Sequence, residues 1–173
     1  DTTGVFYSAL KVKMIEILNL VANSARNKVA WSTKIRSNIR VSEVKEKAGI
    51  IAGYVEVGGT ALNEHGQSVN VGAMARAFEY GSGEHATKGE IGKYPILPRN
   101  ATALSFIGTN EWKGQPIIVP PMGGGVVMHP GVAPRPFLHP AVEENQNRIR
   151  ELLGKEVRQY IGSIIKTAWD THK

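Results

Sequence analysis

The side chains that could do metal or acid–base chemistry are few and scattered. Five histidines stand at positions 65, 85, 129, 139 and 172, and the chain has no cysteine. A zinc site needs three or four protein ligands at a definite geometry, and no two of these histidines have the spacing of ligands on one helix. His129 and His139 flank a proline-rich segment, where each His-Pro pair indicates a sharp turn. The sequence therefore predicts no bound metal and no cofactor.

Two glycine runs and three carboxylates could suggest an enzyme, but they lack the context that catalysis requires. No apolar strand leads into Gly81-Ser82-Gly83, as it would at a nucleophile turn. Gly123-Gly124-Gly125 lacks the lysine and the helix of a phosphate loop. Glu79, Glu84 and Glu90 lie near a glycine-rich segment that would position an acid and a base poorly. We expect a protein that is not an enzyme, and a small hydrolase that uses this segment is the weaker alternative.

Charge is distributed unevenly along the chain, whose net charge is +6 and whose pI is about 9.6. The first forty residues carry seven basic and two acidic side chains, residues 41–90 carry four and seven, and residues 91–173 carry ten and six. A basic surface can bind nucleic acid, and subunits can stack a basic face on an acidic one. Because no arginine-rich run or nucleic-acid motif accompanies the charge, we interpret most of it as solvated helix faces.

Length and composition fit one soluble domain. A chain of 173 residues, 42% apolar and 21% charged, can bury an ordinary core without disulfides. The apolar stretches are far shorter than the ~20 residues that cross a bilayer, and the first residues lack the pattern of a signal peptide. Since residue 1 is Asp rather than Met, removal of an N-terminal leader remains an open alternative. We expect one domain over residues 1–173 and no membrane partner.

Long helices are predicted near both ends of the sequence. Apolar residues recur every three or four positions from Val5, with a break near Ala30 and a short continuation before Arg40. Similar spacing runs from Ala141 to about Trp169. Each helix is expected to bury a single apolar stripe, which in the second helix comprises Val142, Ile149, Leu152, Leu153, Val157, Tyr160, Ile161, Ile164 and Ile165.

The middle of the chain predicts short strands, one further helix and long loops. Val69–Glu79 favours a helix, and a polar boundary at 45–49 precedes a strand over 50–57. Segments 102–107, 115–119 and 126–129 are typical of an antiparallel meander, and residues 130–140 are too rich in proline for regular structure. The fold class is α+β, a small antiparallel sheet packed by a long N-terminal helix and a long C-terminal helix. Long loops are expected over 81–96 and 108–125, and the part from Gly81 to Tyr94 is expected to become ordered only against a partner.

Three short motifs occur in a definite order before the last helix. Glu79-Tyr80-Gly81-Ser82 comes first, Met128-His129-Pro130-Gly131 follows, and Ala133-Pro134-Arg135-Pro136-Phe137-Leu138 leads into Pro140-Ala141. With this order, over roughly residues 5–165, the chain resembles the tail-component family of long-tailed bacteriophages, the gene-product-ten-like neck or tail-completion proteins.

The resemblance implies a structural virion protein, made in the host cytoplasm, that forms a homo-oligomeric ring at the head–tail junction and has no enzymatic activity. Its partners would be further copies of itself, a neighbouring neck or head-completion protein, and the tail tube or tail terminator protein, with packaged DNA near the ring lumen. The enlarged loop Ser82–Ile96 and the insertion Gly108–Pro121 depart from the family pattern. They leave a tail terminator as an alternative, and a basic nucleic-acid-binding accessory protein is the alternative from another class.

One arginine has a backbone setting that suits a subunit interface. Arg135 stands between two prolines, so its planar head is presented from a rigid segment and can make a bidentate contact with a carboxylate. Glu79 could be that partner, within the subunit or across an interface. Phe137 and Leu138 are expected in the core, where they fix the start of the last helix. The expected interface residues are Glu79, Glu84, Lys88, Glu90, Lys93, His129 and Arg135.

Overall fold

The computed structural model describes residues 2–64, 66–87, 92–95, 104–107, 116–119 and 128–171. The chain divides into two compact units, the first made of Asp1–Ala75 with Pro136–Lys173 and the second of Arg76–Arg135. Long N- and C-terminal helices accompany short antiparallel strands, so the α+β class is confirmed. A single domain over residues 1–173 stays a prediction.

The N-terminal helix ends close to the break that the sequence predicts. Helix α1 spans Thr2–Lys28, and the short helix α2 spans Thr33–Ser37. Ser32 begins α2 in extended backbone, and its side chain accepts a hydrogen bond from the Ile35 N–H at 3.4 Å. This is the N-cap that serine favours. Val29 in the turn and Ile35 in α2 are fully buried, so the break directs both side chains into the core.

Four short strands after α2 form one long antiparallel hairpin. Strand β1 (Ile39–Val41) pairs with β4 (Val55–Val57), and between them β2 (Lys45–Lys47) pairs with β3 (Ile50–Ala52). At the tip, Ala48 and Gly49 both have positive φ, 52° and 76°, as a two-residue hairpin turn requires. The polar stretch predicted as a boundary is therefore a strand, because exposed lysines and a glutamate can pair through their backbone.

The hairpin is interrupted where it lies against α1. Ser42 donates its N–H to the Tyr54 carbonyl at 2.9 Å, and Ser42 Oγ accepts from the Tyr54 N–H at 2.8 Å. A Cβ atom at Gly53 would stand 2.6 Å from Leu18 Cδ1, so the hairpin backbone touches α1 at this glycine. The prediction of one uninterrupted strand over residues 50–57 is wrong for this reason.

A second hairpin and a short helix follow, and that helix ends within the first motif. Strand β5 (Thr60–Leu62) pairs with β6 (Ser68–Asn70), and helix α3 (Val71–Tyr80) follows at once. Asn70 Oδ1 accepts the Ala73 N–H at 2.9 Å, which satisfies a free donor in the first turn of α3. The helix predicted over Val69–Glu79 is confirmed, with its first two residues in β6.

The remaining strands belong to the second unit. Strand β8 (Leu104–Ile107) pairs antiparallel with β9 (Pro116–Val119), as the expected meander requires. The third strand, β10 (Met128–His129), pairs instead with β7 (Tyr94–Pro95). The meander is therefore correct for its first two strands and wrong for the third, because β10 finds its partner inside the segment predicted as a long loop.

The last helix, α4 (Leu138–Thr171), runs antiparallel to α1 in the first unit, since Phe6 meets Tyr160 at one end and Lys28 meets Glu144 at the other. In the C-terminal half of α4, the Tyr160 ring stacks on the Phe6 ring with centroids 3.9 Å apart. Pro140 fits in the first turn of α4 because an N–H there has no helical acceptor. Phe137 is fully buried, as expected, and Leu138 is half-buried. The buried residues of this unit include Ile17, Leu18, Val21, Ala22, Ala25, Val29, Ile35, Ile39, Val71, Phe137, Ala141 and Leu152.

Candidate interface

The expected interface residues that the structure describes all belong to the second unit. These are Glu79, Glu84, Lys93, His129 and Arg135. Lys88 and Glu90, the other two, lie outside the described residues.

The first two sequence motifs meet in a set of hydrogen bonds that we call the glycine clamp, made of residues 81–84 and 129–132. The Ser82 N–H donates to the Val132 carbonyl at 2.9 Å, and the Val132 N–H donates to Ser82 Oγ at 2.9 Å. The Glu84 N–H donates to the Pro130 carbonyl at 2.7 Å. Motifs almost fifty residues apart in sequence are thus one local structure.

Two glycines make this close approach possible. Gly83 has φ of +60°, and a Cβ atom there would lie 2.3 Å from the Pro130 carbonyl oxygen. Gly131 has φ of +102°, and a Cβ atom there would lie 1.7 Å from the Ser82 carbonyl oxygen. Both the backbone conformation and the space exclude a side chain at these positions. The glycines therefore serve the packing of two turns, and the sequence pattern alone gave no sign of this role.

The third motif is attached to the end of α3. The Arg135 N–H donates to the Phe78 carbonyl at 2.6 Å, which places the Arg135 backbone beside the last turn of that helix. Glu79 follows Phe78 and is only 6% exposed, and it is the one charged side chain buried among the described residues. Burial favours the role within the subunit for Glu79. The structure brings the backbones of these two residues together, and an ion pair between their side chains stays a prediction.

The other described interface residues have local roles that leave them accessible. Lys93 Nζ lies 3.7 Å from Glu84 Oε1, and both side chains are about half exposed, so the pair contributes little to stability. His129 is half-buried, and its Nδ1 accepts the Gly131 N–H at 2.8 Å. That hydrogen bond shapes the Pro130-Gly131 turn.

The segment predicted as a loop without anchors has several within its described residues. Gly83–His85 form a short 3-10 turn, the Thr87 N–H donates to the Tyr80 carbonyl at 2.7 Å, and the Gly92 N–H donates to the Gly83 carbonyl at 3.1 Å. The expectation that only a partner can supply contacts is therefore wrong for residues 81–87. In the sequence, the glycines of this segment suggest a flexible loop. In the structure, they allow the backbone of the segment to pack closely against its neighbours.

Ion pairs tie α1 to its neighbours in the first unit. Lys11 lies 3.2 Å from Glu46 of β2, and Lys28 lies 2.5 Å from Glu144 of α4. The hydrogen bond that Lys28 donates holds the pKa of Glu144 below its ordinary value. A hydrogen bond from Ser24 has a smaller effect in the same direction. Part of the positive charge near the N-terminus is thus paired with carboxylates of the same subunit.

Two sets of large apolar side chains in the first unit are exposed. The N-terminal seam is Val5, Val12 and Ile15 of α1, exposed by 70%, 62% and 46%. The C-terminal seam lies on α4 and comprises Val157, Ile161, Ile164, Ile165 and Trp169, exposed by 41–69%. Val5, Val12 and Ile15 are seven and three residues apart, and the C-terminal seam repeats every four residues from Val157 to Trp169, with Ile164 beside Ile165. Such intervals align side chains along one face of a helix.

The C-terminal seam corrects the single-stripe prediction for α4. Leu152 is buried and Tyr160 stacks on α1, whereas Val157, Ile161 and Ile164 are exposed. With about 100° of rotation per residue, the seam is centred on the order of 130° around the helix from the side that meets α1. The sequence contains a sign of this second face, because the apolar positions from Val157 onward lie on a different side of the helix from Leu152 and Tyr160.

Comparison with known proteins leaves the resemblance to phage tail components as a prediction. No family model matches the chain, and neither a curated protein nor a solved structure is similar to it. In the described ranges, no helix is both long and apolar enough to cross a membrane. The same part of the chain contains no group of three side chains placed to hold a metal ion.

Proposed function

We propose that this protein is a structural subunit of a tailed-phage virion, which assembles with copies of itself into a ring at the head–tail junction and joins head to tail. The observation that carries the proposal is the pair of uncovered apolar seams on one unit. Exposed apolar patches larger than a few hundred Å² mark interaction sites. Two different surfaces that bind each other between copies close into a ring when the rotation between neighbours allows it.

The order of the sequence motifs supports the same proposal. The glycine clamp joins the first two motifs and the Arg135–Phe78 hydrogen bond attaches the third, so the three motifs form one local structure rather than three separate turns. Neighbouring neck, tail-tube or terminator proteins are the further partners that this function requires. A tail terminator would also form a ring and would differ in its position on the virion.

The nucleic-acid alternative has less support from the charges. Lys11 and Lys28 pair with glutamates of β2 and α4, and Lys13 lies 2.9 Å from Glu16, which raises the pKa of Lys13. Basic side chains already paired with carboxylates release fewer counterions on binding a polyanion. Fewer of the N-terminal basic side chains are therefore available to bind a nucleic acid than the sequence alone indicates.

The proposal is tested by mass photometry and negative-stain electron microscopy of the purified full chain. We expect closed rings with one subunit number. A chain that stays monomeric at concentrations up to tens of micromolar, by light scattering, would contradict ring formation. Titration of duplex DNA at two salt concentrations serves as the companion measurement, and tight binding that weakens steeply with salt would favour the accessory-protein alternative.

A further inference from the structure

We infer that the C-terminal seam of one copy packs on the N-terminal seam of the next copy, so that helix α4 of each subunit lies along helix α1 of its neighbour. This inference rests on the proposed function, because it names the surfaces that would join the ring. The occupant of each seam is therefore a second copy of this chain, contributing the other seam.

The C-terminal seam is not used by the unit's own core. Leu152, Glu156 and Tyr160 follow one line along α4, and the first and last of these are buried or stacked against α1. Val157 and Ile161 lie on another side of the helix and are 41% and 50% exposed. The hairpin and α2 pack on α1, and among the residues that the structure describes nothing buries these two side chains.

The two seams are similar in length and share helical intervals. Val5 and Ile15 are ten residues apart and Val157 and Trp169 are twelve apart, so at about 1.5 Å per residue the seams are ~15 and ~18 Å long. Val157, Ile161 and Ile164 are separated by four and three residues, and Val12 and Ile15 by three. These are the intervals at which two helices interlock side chains over a long contact.

The exposed apolar area is sufficient for a stable contact between copies. From the exposed fractions, and with about 150–250 Å² for a large side chain, the C-terminal seam presents on the order of 500 Å² and the N-terminal seam about 300 Å². A standard interface buries about 1,600 Å², of which rather more than half, ~900 Å², is apolar. Together the two seams supply nearly that apolar area.

Pairing of unlike seams covers both surfaces, whereas pairing of two C-terminal seams leaves the N-terminal seam exposed. A like-with-like contact is two-fold symmetric and stops at a dimer, whereas an unlike contact leaves a free seam at each end and continues to a ring. The presence of two seams on one unit therefore favours the unlike contact. The alternatives become distinguishable in a mixing experiment.

Two variants each disable one seam. Ile164→Glu places a carboxylate in the C-terminal seam, and Val12→Glu places one in the N-terminal seam. Both positions are exposed in the single subunit, so at concentrations too low for assembly each variant should melt like the unchanged chain. Each alone should raise the concentration needed for assembly by roughly 100-fold, because an unpaired charge would be buried. Val142→Glu is the matched control on α4, since Val142 is exposed but lies outside the seam, and it should assemble normally.

Mass photometry of the two variants mixed in equal amounts is the decisive measurement. Ile164→Glu keeps an intact N-terminal seam and Val12→Glu an intact C-terminal seam, so the mixture should form dimers of one copy of each and nothing larger. Dimers of Val12→Glu alone, with none specific to the mixture, would show a like-with-like contact and overturn the inference. Unchanged rings in both single variants would overturn it while leaving the proposed function intact. An unchanged chain that stays monomeric would refute both.

Discussion

Substitution of Gly131 by alanine tests the glycine clamp directly. A Cβ atom at Gly131 would lie 1.7 Å from the Ser82 carbonyl oxygen, and the φ of +102° is itself unfavourable for alanine. The turn must therefore move away from Ser82. The move breaks the Ser82–Val132 and Glu84–Pro130 backbone hydrogen bonds, which measure 2.9 and 2.7 Å.

The expected loss follows from these two contributions. A residue held in a rarely populated backbone region costs about 1–3 kcal/mol, and each lost hydrogen bond costs about 1 kcal/mol net. The clamp of Gly131→Ala should therefore be weaker by about 3–5 kcal/mol, or roughly a hundredfold or more in its opening equilibrium. The effect should be local to the second unit.

Amide hydrogen exchange at Ser82 and Glu84 measures this opening residue by residue. Both amides should exchange roughly a hundredfold or more faster in Gly131→Ala, in proportion to the opening equilibrium. Gly58→Ala is the control, because a Cβ atom at Gly58 meets nothing within 4 Å and the φ there is not in the left-handed region. Equal exchange rates at Ser82 and Glu84 in Gly131→Ala and the unchanged chain would refute the clamp.

Three further predictions concern the first unit. Phe137→Ala should lower the free energy of unfolding by about 3–5 kcal/mol in urea titrations, because Phe137 is fully buried, whereas Val142→Ala at an exposed site should change it little. Lys28 lowers the pKa of Glu144 in the folded state, so this carboxylate stabilises above the ordinary glutamate pKa of about 4.3, and its contribution is lost as pH falls through the lower folded pKa. Glu144→Gln should consequently lose less melting temperature on acidification than the unchanged chain, and an equal loss would count against the pair. Removal of residues 148–173 deletes most of the α4 surface that packs on α1, and a truncated chain with a cooperative melt would contradict that packing.

Periodicity predicted the helices well because a helix that packs on a core must repeat its apolar residues every three or four positions. The break after α1 and the helix α3 were predictable in the same way. The same periodicity could not say what covers an apolar face. Val157 and Ile161 keep helical spacing as well as Leu152 does, but only Leu152 is buried.

The strands and the clamp depend on contacts between residues distant in sequence. Gly53 interrupts a strand because Leu18 lies against it, and Gly83 and Gly131 are required because two turns touch. A glycine in a sequence indicates conformational freedom, and its neighbour in space decides whether that freedom serves a flexible loop or a close contact. The site residues on the clamp could be named in advance, but their arrangement could not.

The first unit is assembled from two stretches of chain that residues 76–135 separate, and this has a consequence for folding during synthesis. A ribosome releases α1 and the hairpins long before it releases α4. The side of α1 that carries Phe6 therefore stays exposed to solvent until Tyr160 has left the ribosome. Closing so long a loop costs entropy before the helix contact compensates for it. Docking of α4 is accordingly the late step, and chaperones that bind exposed apolar helices should act on the nascent chain in that interval.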